Sequence, residues 1–298
     1  MTMNLDLSNR ALLVGVTINL FSGEKTDKRV AEEVARNHNT TAQDAGRFQK
    51  ALISKKALEA VKTIGGEART AHYQMTLPWL DNGQRLLSIA GYETYGERMS
   101  AIRSRFDSEV ERFITLYPSL IEDARHRLNG MFDEGDYPPV SDLRRRFVFD
   151  LKVLPFPNTK NWLVDEVDSL LGTQREALRA EAADLVARGV ADATRDIFER
   201  VATATGHMAT KLRGYVPESE TGRPAGVFRD SLVENVRDLY NLLPTLNVTG
   251  DARIDELRDA LKALTHHNAA DLRADDNFRQ TTAEKADAIY QQAMALMG

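Results

Sequence analysis

The feature that most constrains the fold is a periodic run of apolar residues in the second half of the chain. Between Trp162 and Arg213, these residues follow a repeated spacing of four, four and three positions. This eleven-residue repeat corresponds to about 3.67 residues per turn, which is close to a straight α-helix. A helix of this length would extend about 75 Å, so it must pack on other helices of the chain or on another copy. The positions are Ala182, Val186, Val190, Ala193, Ile197, Val201, Ala204, Met208 and Leu212.

Two segments far apart in the sequence show the alternation of apolar residues that is typical of strands. Residues 12–21 place Leu12, Val14, Val16, Ile18 and Leu20 on one face, and a polar turn follows at residues 22–25. Residues 147–153 alternate in the same way until two prolines, at positions 155 and 157, end the run. Because each strand has one apolar face, we expect the two to pair, together with a hairpin turn at Asp81-Asn82-Gly83.

The rest of the sequence predicts helices joined by short loops. Residues 131–139 and 218–226 are predicted loops, and residues 271–279 are predicted to be solvent-exposed. The fold class is therefore mainly α (α+β), with long helices packed with a small antiparallel sheet. We predict an N-terminal α+β region over residues 1–160, a long connecting helix over 161–216 and a C-terminal helical region over 217–298. The predicted helices span residues 40–65, 96–128 with a kink or break at Pro118, 227–243 before Pro244, 251–266, and 281 almost to the end.

Composition excludes several classes of protein. The chain contains no cysteine, so neither a disulfide framework, a zinc ribbon nor thiol catalysis can be built. The N-terminus lacks a basic segment followed by an apolar run, and the apolar stretch Ala11–Phe21 is too short and polar to span a bilayer. We therefore expect a cytoplasmic protein without a membrane segment. The net charge of −5 argues against dedicated nucleic-acid binding but leaves room for a local basic groove.

Candidate catalytic residues all have simpler explanations. The sequence Gly23-Glu24-Lys25-Thr26 differs from a phosphate-binding loop because Glu24 would repel a phosphate. None of the six histidines has metal-ligand spacing to a carboxylate, and His266 and His267 suit the end of a helix. Groups of carboxylates at residues 32–33, 107–111, 165–168 and 255–256 fit solvated helix faces better than a metal site. The sequence therefore predicts no enzyme activity, no cofactor and no metal.

Clusters of basic residues are the most informative polar feature. Three consecutive arginines precede the second strand, and further arginines lie on the helix after Tyr92 and Tyr95. Lysines follow the first strand directly, and Lys50, Lys55 and Lys56 lie on the next predicted helix. If the strands pair, two of these clusters can meet and form a groove for a single-stranded nucleic acid. The alternative is that these cations pair with the abundant carboxylates. The candidate nucleic-acid contacts are Arg144, Arg145, Arg146, Arg98, Arg103, Arg105, Lys25 and Lys28.

The order of elements resembles a known family. The first strand ends in Val16-Thr17-Ile18-Asn19-Leu20-Phe21-Ser22-Gly23, and Ser54-Lys55-Lys56-Ala57-Leu58 follows on a helix. An apolar patch over residues 77–89 and a long helix with Phe106, Phe113 and Tyr117 come next. Over about the first 200 residues, this order is similar to the phage and bacterial domain-of-unknown-function family 3150.

The resemblance implies partners and no reaction. Genes of that family often lie beside a MoxR-type AAA+ ATPase and a von Willebrand factor A (VWA) protein. The first hypothesis is therefore a non-enzymatic phage accessory protein that acts through self-assembly, as a homo-oligomer, or with those two partners. The second hypothesis is a single-stranded nucleic-acid-binding or annealing protein.

Overall fold

A computed structural model describes residues 7–80, 83–156, 172–217, 222 and 225–298, without the side chains of residues 172–175 and 179. The chain forms two compact units, each built from non-consecutive segments. Unit 1 contains Met1–Gly15, Tyr73–Thr94 and Val153–Gly298, and unit 2 contains Val16–His72 and Tyr95–Lys152. The division into residues 1–160, 161–216 and 217–298 stays a prediction.

Long helices and short strands make up both units. The strands are β1 (Ala11–Asn19), β2 (Glu24–Thr26), β3 (Gln49–Ala51), β4 (Leu77–Pro78), β5 (Arg85–Ser88) and β6 (Val148–Pro155). The helices are α1 (Lys28–Asn37), α2 (Lys55–Met75), α3 (Tyr92–Leu128), α4 (Val140–Arg145), α5 (Gly172–Arg213), α6 (Ser231–Leu246), α7 (Ala252–Thr265), α8 (Ala269–Ala274) and α9 (Asp276–Ala295). The predicted mainly α fold with a small antiparallel sheet is confirmed.

Both predicted strands form and lie side by side. The larger sheet has the strand order β4-β5-β1-β6, so β1 and β6 are neighbours as expected. Strand β5 lies between β1 and β4 and pairs antiparallel with both. Leu86 of β5 lies opposite Leu13 of β1 on one side and opposite Leu77 of β4 on the other. The predicted hairpin is therefore confirmed, although its turn residues Asp81 and Asn82 lie outside the described ranges.

Helix α5 organises unit 1. Its predicted start at Trp162 lies outside the described residues, and the helix is continuous from Gly172 for 42 residues. The predicted apolar stripe faces the core, because Ala193, Ile197, Val201, Met208 and Leu212 are all buried. The eleven-residue repeat therefore identified the packing face correctly.

Helix α9 packs antiparallel along α5. Arg213, near the end of α5, pairs with Asp287 at 3.1 Å, whereas Arg195 donates to the carbonyl oxygen of Met297 beyond the end of α9. Between these contacts, a Cβ atom on Gly206 would approach Cδ2 of Tyr290 to 2.9 Å. The missing side chain of Gly206 therefore lets the Tyr290 ring lie directly against the α5 backbone.

Unit 2 is built around aromatic side chains. The Phe113 ring on α3 lies 6.4 Å from Phe21 and 5.5 Å from Phe147, and Phe106 lies 5.5 Å from Phe149, all between ring centroids. These contacts place residues that flank β1 and residues of the β6 segment on one face of α3. The helix continues through Pro118, so of the predicted kink or break the break is wrong, and the kink stays a prediction.

The helix predicted over residues 40–65 forms only from Lys55 onward, so its predicted start is wrong. Its capping signal exists, since Thr41 Oγ1 accepts from the Asp44 amide at 3.1 Å, but it closes only a short turn. The following residues form β3, which pairs with β2 and places Lys50 opposite Lys25. Helix α2 then runs through the predicted stop at residues 65 and 66. There the missing Gly65 side chain leaves room for Ile18, since a Cβ atom would lie 3.3 Å from its Cγ2.

The C-terminal helices also differ from the prediction at their ends. Residues 271–279 are mostly exposed as predicted, but they include most of α8 and the start of α9, which is capped by Asp275 and begins before the expected Thr281. Arg279 is 1% exposed because its guanidinium lies 4.9 Å from the Tyr215 ring and donates to the Leu272 carbonyl. Helix α6 begins at Ser231 and continues past Pro244.

Close packing at Gly189 generates a stability prediction. A Cβ atom there would approach Cζ3 of Trp79 to 2.7 Å, so Gly189→Ala should displace the indole ring. We expect a net loss of about 1–2 kcal/mol in the free energy of unfolding, because overpacking outweighs the helix-propensity gain of alanine. Urea unfolding measures this loss.

A glycine with free space provides the control. A Cβ atom on Gly96 in α3 would meet no atom within 4 Å. Gly96→Ala should therefore stabilise the protein by up to about 1 kcal/mol. Equal effects of the two substitutions would contradict the packing described at Trp79.

Candidate functional site

The eight predicted basic contacts all belong to unit 2, but most already contact other side chains. Arg105 forms two hydrogen bonds with Glu67, at 2.9 and 2.8 Å, and Arg144 forms a similar bidentate pair with Glu111. The hydrogen bond from Arg144 also lowers the pKa of Glu111. For these two arginines the structure supports the alternative interpretation, in which they pair with carboxylates.

The remaining predicted cations differ in how tightly they are held. Arg103 and Arg145 lie 3.9 and 4.0 Å from Asp107 and Asp142. The guanidinium of Arg146 lies 5.6 Å from the Phe21 ring centroid. Lys28 and Arg98 form no ion pair within the described ranges, and Lys25 contacts Asp136 at 2.6 Å.

Tyr95, which lies just before the arginines of α3 in the sequence, is buried. It is 0% exposed, and its hydroxyl lies 2.7 Å from Nδ1 of the buried His72. Burial also raises the pKa of the Tyr95 hydroxyl. The ring therefore has no free face on which a nucleic-acid base could stack.

A buried ion cluster lies at the small β2–β3 sheet. Lys50 is 2% exposed and contacts the carboxylates of Asp27, at 3.2 Å, and Asp136, while it donates to the Met131 carbonyl at 3.0 Å. Asp27 also caps α1, accepting from the Arg29 amide at 3.1 Å. The cluster thus connects β3, the start of α1 and the loop before α4.

The ionised forms of this cluster stabilise one another. Burial alone would raise the pKa of Asp27 and of Asp136. Hydrogen bonds and the positive charge of Lys50 nevertheless lower the pKa of both carboxylates, and Lys25 lowers that of Asp136 further. Burial would lower the pKa of Lys50, yet the two carboxylates raise it. From the sequence, Lys50 was expected on a helix and the cluster was not predicted, although Asp27 before Lys28 is a recognisable helix cap.

A shallow, open depression of about 640 Å³, called the groove below, lies between side chains of a single helix along the first half of α2. All five lining residues are exposed, and within the described part of the chain none of the three lysines forms an ion pair. The first turn of α2 contains no acidic residue. The lining residues are Lys55, Lys56, Glu59, Lys62 and Thr63.

In unit 1, α5 extends beyond its packing partner. Helix α9 ends near Arg195, and between Glu176 and Arg188 no described side chain of α5 is fully buried. Leu178 and Leu185 are 39% and 38% exposed in that stretch. A cavity of about 750 Å³ opens where α9 stops, with a largely apolar wall that includes Val190, Phe198 and Leu296.

The candidate metal and catalytic residues are dispersed. In the described ranges no three histidine or carboxylate side chains come together as a possible metal site. His266 lies at the C-terminal end of α7. The pKa of His267 is lowered mainly by burial and further by the positive charges of Lys285 and His266. The carboxylates at residues 165–168 lie outside the described ranges. None of the described helices is both long and apolar enough to cross a membrane.

Comparisons of the chain with protein-family models, with curated proteins and with solved structures found no match.

The ion cluster generates a pH-dependent stability prediction. Lys50→Met should lower the free energy of unfolding by about 3–5 kcal/mol near pH 7, because the buried Asp27 loses its lysine partner and the buried Asp136 keeps only Lys25. In the wild type, the two carboxylates have lower pKa values in the folded state than in the unfolded state, where the pKa of Asp is about 3.9. They therefore stabilise the fold at pH values above about 3.9, and this stabilisation is lost as the pH falls through their pKa values in the folded state. The difference between the two proteins should therefore narrow below about pH 4.

Urea unfolding at neutral and acidic pH measures this difference. Arg103→Met is the matched control, since it removes a cation from an exposed pair that is worth at most about 1 kcal/mol. A loss for Lys50→Met that does not change with pH would show that the cluster does not couple stability to protonation.

Proposed function

We propose that this chain is a non-enzymatic accessory protein that acts by assembly through the exposed part of α5. The observation that carries the proposal is that the apolar face of α5 continues beyond the point where burial stops. Ala182 and Val186 continue the repeat toward the N-terminus, yet they are only partly buried, and the neighbouring Leu178 and Leu185 are exposed. A helix face of this kind gains free energy when a partner covers it.

The physical character of the uncovered segment favours a helical partner. With an eleven-residue repeat the apolar stripe stays almost straight, so a second helix can follow it for several turns. The adjoining cavity supplies further apolar surface, and its arginines are already engaged: Arg253 with Asp251 at 2.6 Å, and Arg195 with the Met297 carbonyl. An apolar partner would therefore leave few polar groups without hydrogen bonds.

The family resemblance suggests which partners to test. We propose a phage protein in the bacterial cytoplasm that forms a homo-oligomer or joins a MoxR-type AAA+ ATPase and its VWA protein. Support comes from the order of the strands and helices that the resemblance rests on. In this role the ATPase supplies the chemistry, and this chain supplies a binding surface.

A second candidate function is binding of single-stranded nucleic acid by unit 2. The chain is acidic as a whole, at −5, but the residues of unit 2 contain a small excess of basic over acidic side chains. The acidic excess therefore belongs to unit 1. This uneven distribution favours unit 2 for contact with a polyanion.

A double substitution on α5 tests the assembly proposal. Leu178→Glu with Leu185→Glu should reduce the solution mass to that of a monomer and abolish capture of the ATPase or VWA protein, because about two turns of apolar surface gain two charges. Light scattering after size exclusion and pull-down with the two purified partners are the measurements.

Two exposed alanines on the same stretch provide the control. Ala177→Glu with Ala180→Glu adds the same charge outside the leucine pair and should leave assembly unchanged. A wild-type chain that is monomeric and captures neither partner would refute the proposal, as would equal losses in both double variants.

A further inference from the structure

The groove along α2 is the most concentrated set of unpaired cations on unit 2. Its three lysines share the groove with one carboxylate, Glu59, and that carboxylate lies beyond ion-pair distance from each of them. Arg105 and Arg144, two of the eight predicted contacts, are instead held in bidentate pairs. Pairing therefore separates cations that are free to bind a ligand from cations that are not.

We propose that the groove formed by Lys55, Lys56 and Lys62 binds the phosphate backbone of a single-stranded nucleic acid. The inference develops the second candidate function and is independent of the assembly proposal. Lys55 and Lys62 are seven residues apart on one helix, so they lie about 10 Å apart along its axis. That distance corresponds to about three phosphates of a nucleic-acid strand.

The position of the groove on α2 adds to its attraction for anions. Lys55 and Lys56 occupy the first turn, where positive charge is unfavourable for the helix itself because the dipole is positive at that end. The first N–H groups of a helix also lack partners within the helix. A bound phosphate would interact favourably with the lysines and the helix end together.

The chemistry of the lining favours nucleic acid over an acidic protein. Besides the lysines, the groove offers only Glu59 and Thr63, with no aromatic, aliphatic or arginine side chain. Protein interfaces depend on anchors of those types, whereas backbone phosphates need only positive charge. Lysine contacts of this kind do not distinguish bases, so binding should be independent of sequence.

Fluorescence anisotropy with a labelled oligothymidine tests the proposal. At about 50 mM salt, the triple variant Lys55→Gln, Lys56→Gln and Lys62→Gln should bind at least about tenfold more weakly than the wild type. Its slope of log affinity against log salt should be shallower by about 2, because about three phosphate contacts are lost. All three positions are exposed, and two of them place a cation in the first turn of α2, so the midpoint of thermal unfolding should not fall.

The matched control replaces three cations that are already paired. Arg103→Gln, Arg105→Gln and Arg144→Gln change the net charge equally and should retain affinity within about threefold. Equal losses in the two triple variants, or a larger loss in the arginine variant, would overturn the lysine groove.

Two further results would also overturn it. One is a wild-type chain that does not bind the oligonucleotide at about 50 mM salt, whatever its solution mass. The other is displacement of the oligonucleotide by polyglutamate at the same concentration of charge, which would assign the groove to an acidic protein. The solution mass reports on assembly separately, so failure of one proposal does not decide the other.

Discussion

The packing of α9 along α5 is the contact on which unit 1 depends. Two long helices approach this closely only where side chains are small, and Gly206 provides that space for the Tyr290 ring. Ala202, Ala209, Ala286 and Ala293 are buried on the same two helices, which keeps the backbones close over several turns. Because α9 is the shorter helix, its end also determines where the covered part of α5 stops.

The fold could be predicted wherever one apolar period dominates a long segment. The eleven-residue repeat gave the correct face of α5, and two-residue alternation gave β1 and its neighbour β6. At β3 a helix was predicted and a strand is found. Its three residues are extended because they pair with β2. A segment that short has too few residues to show a period, so its structure depends on a partner elsewhere in the chain.

The candidate sites were less predictable because charge pairing is a tertiary property. The sequence shows that Arg105 and Glu67 exist, but 38 positions separate them, and only the packing of α3 with α2 brings them together. Lys50 illustrates the opposite error, since a residue expected on an exposed helix is buried between two carboxylates. Counting basic residues therefore indicated one compact unit without separating its free cations from its paired ones.

Whether a cation is already paired also determines what it costs to bind a ligand. An arginine in a bidentate pair must lose two charge-assisted hydrogen bonds before it can contact a phosphate, and the carboxylate left behind repels that phosphate. An exposed lysine without a partner loses only part of its hydration and releases a counterion from the nucleic acid. The same reasoning applies to α5, where the covered stretch is already packed and the uncovered stretch has only water to displace. In both units, the surfaces best suited to a partner are those where interactions within the chain stop.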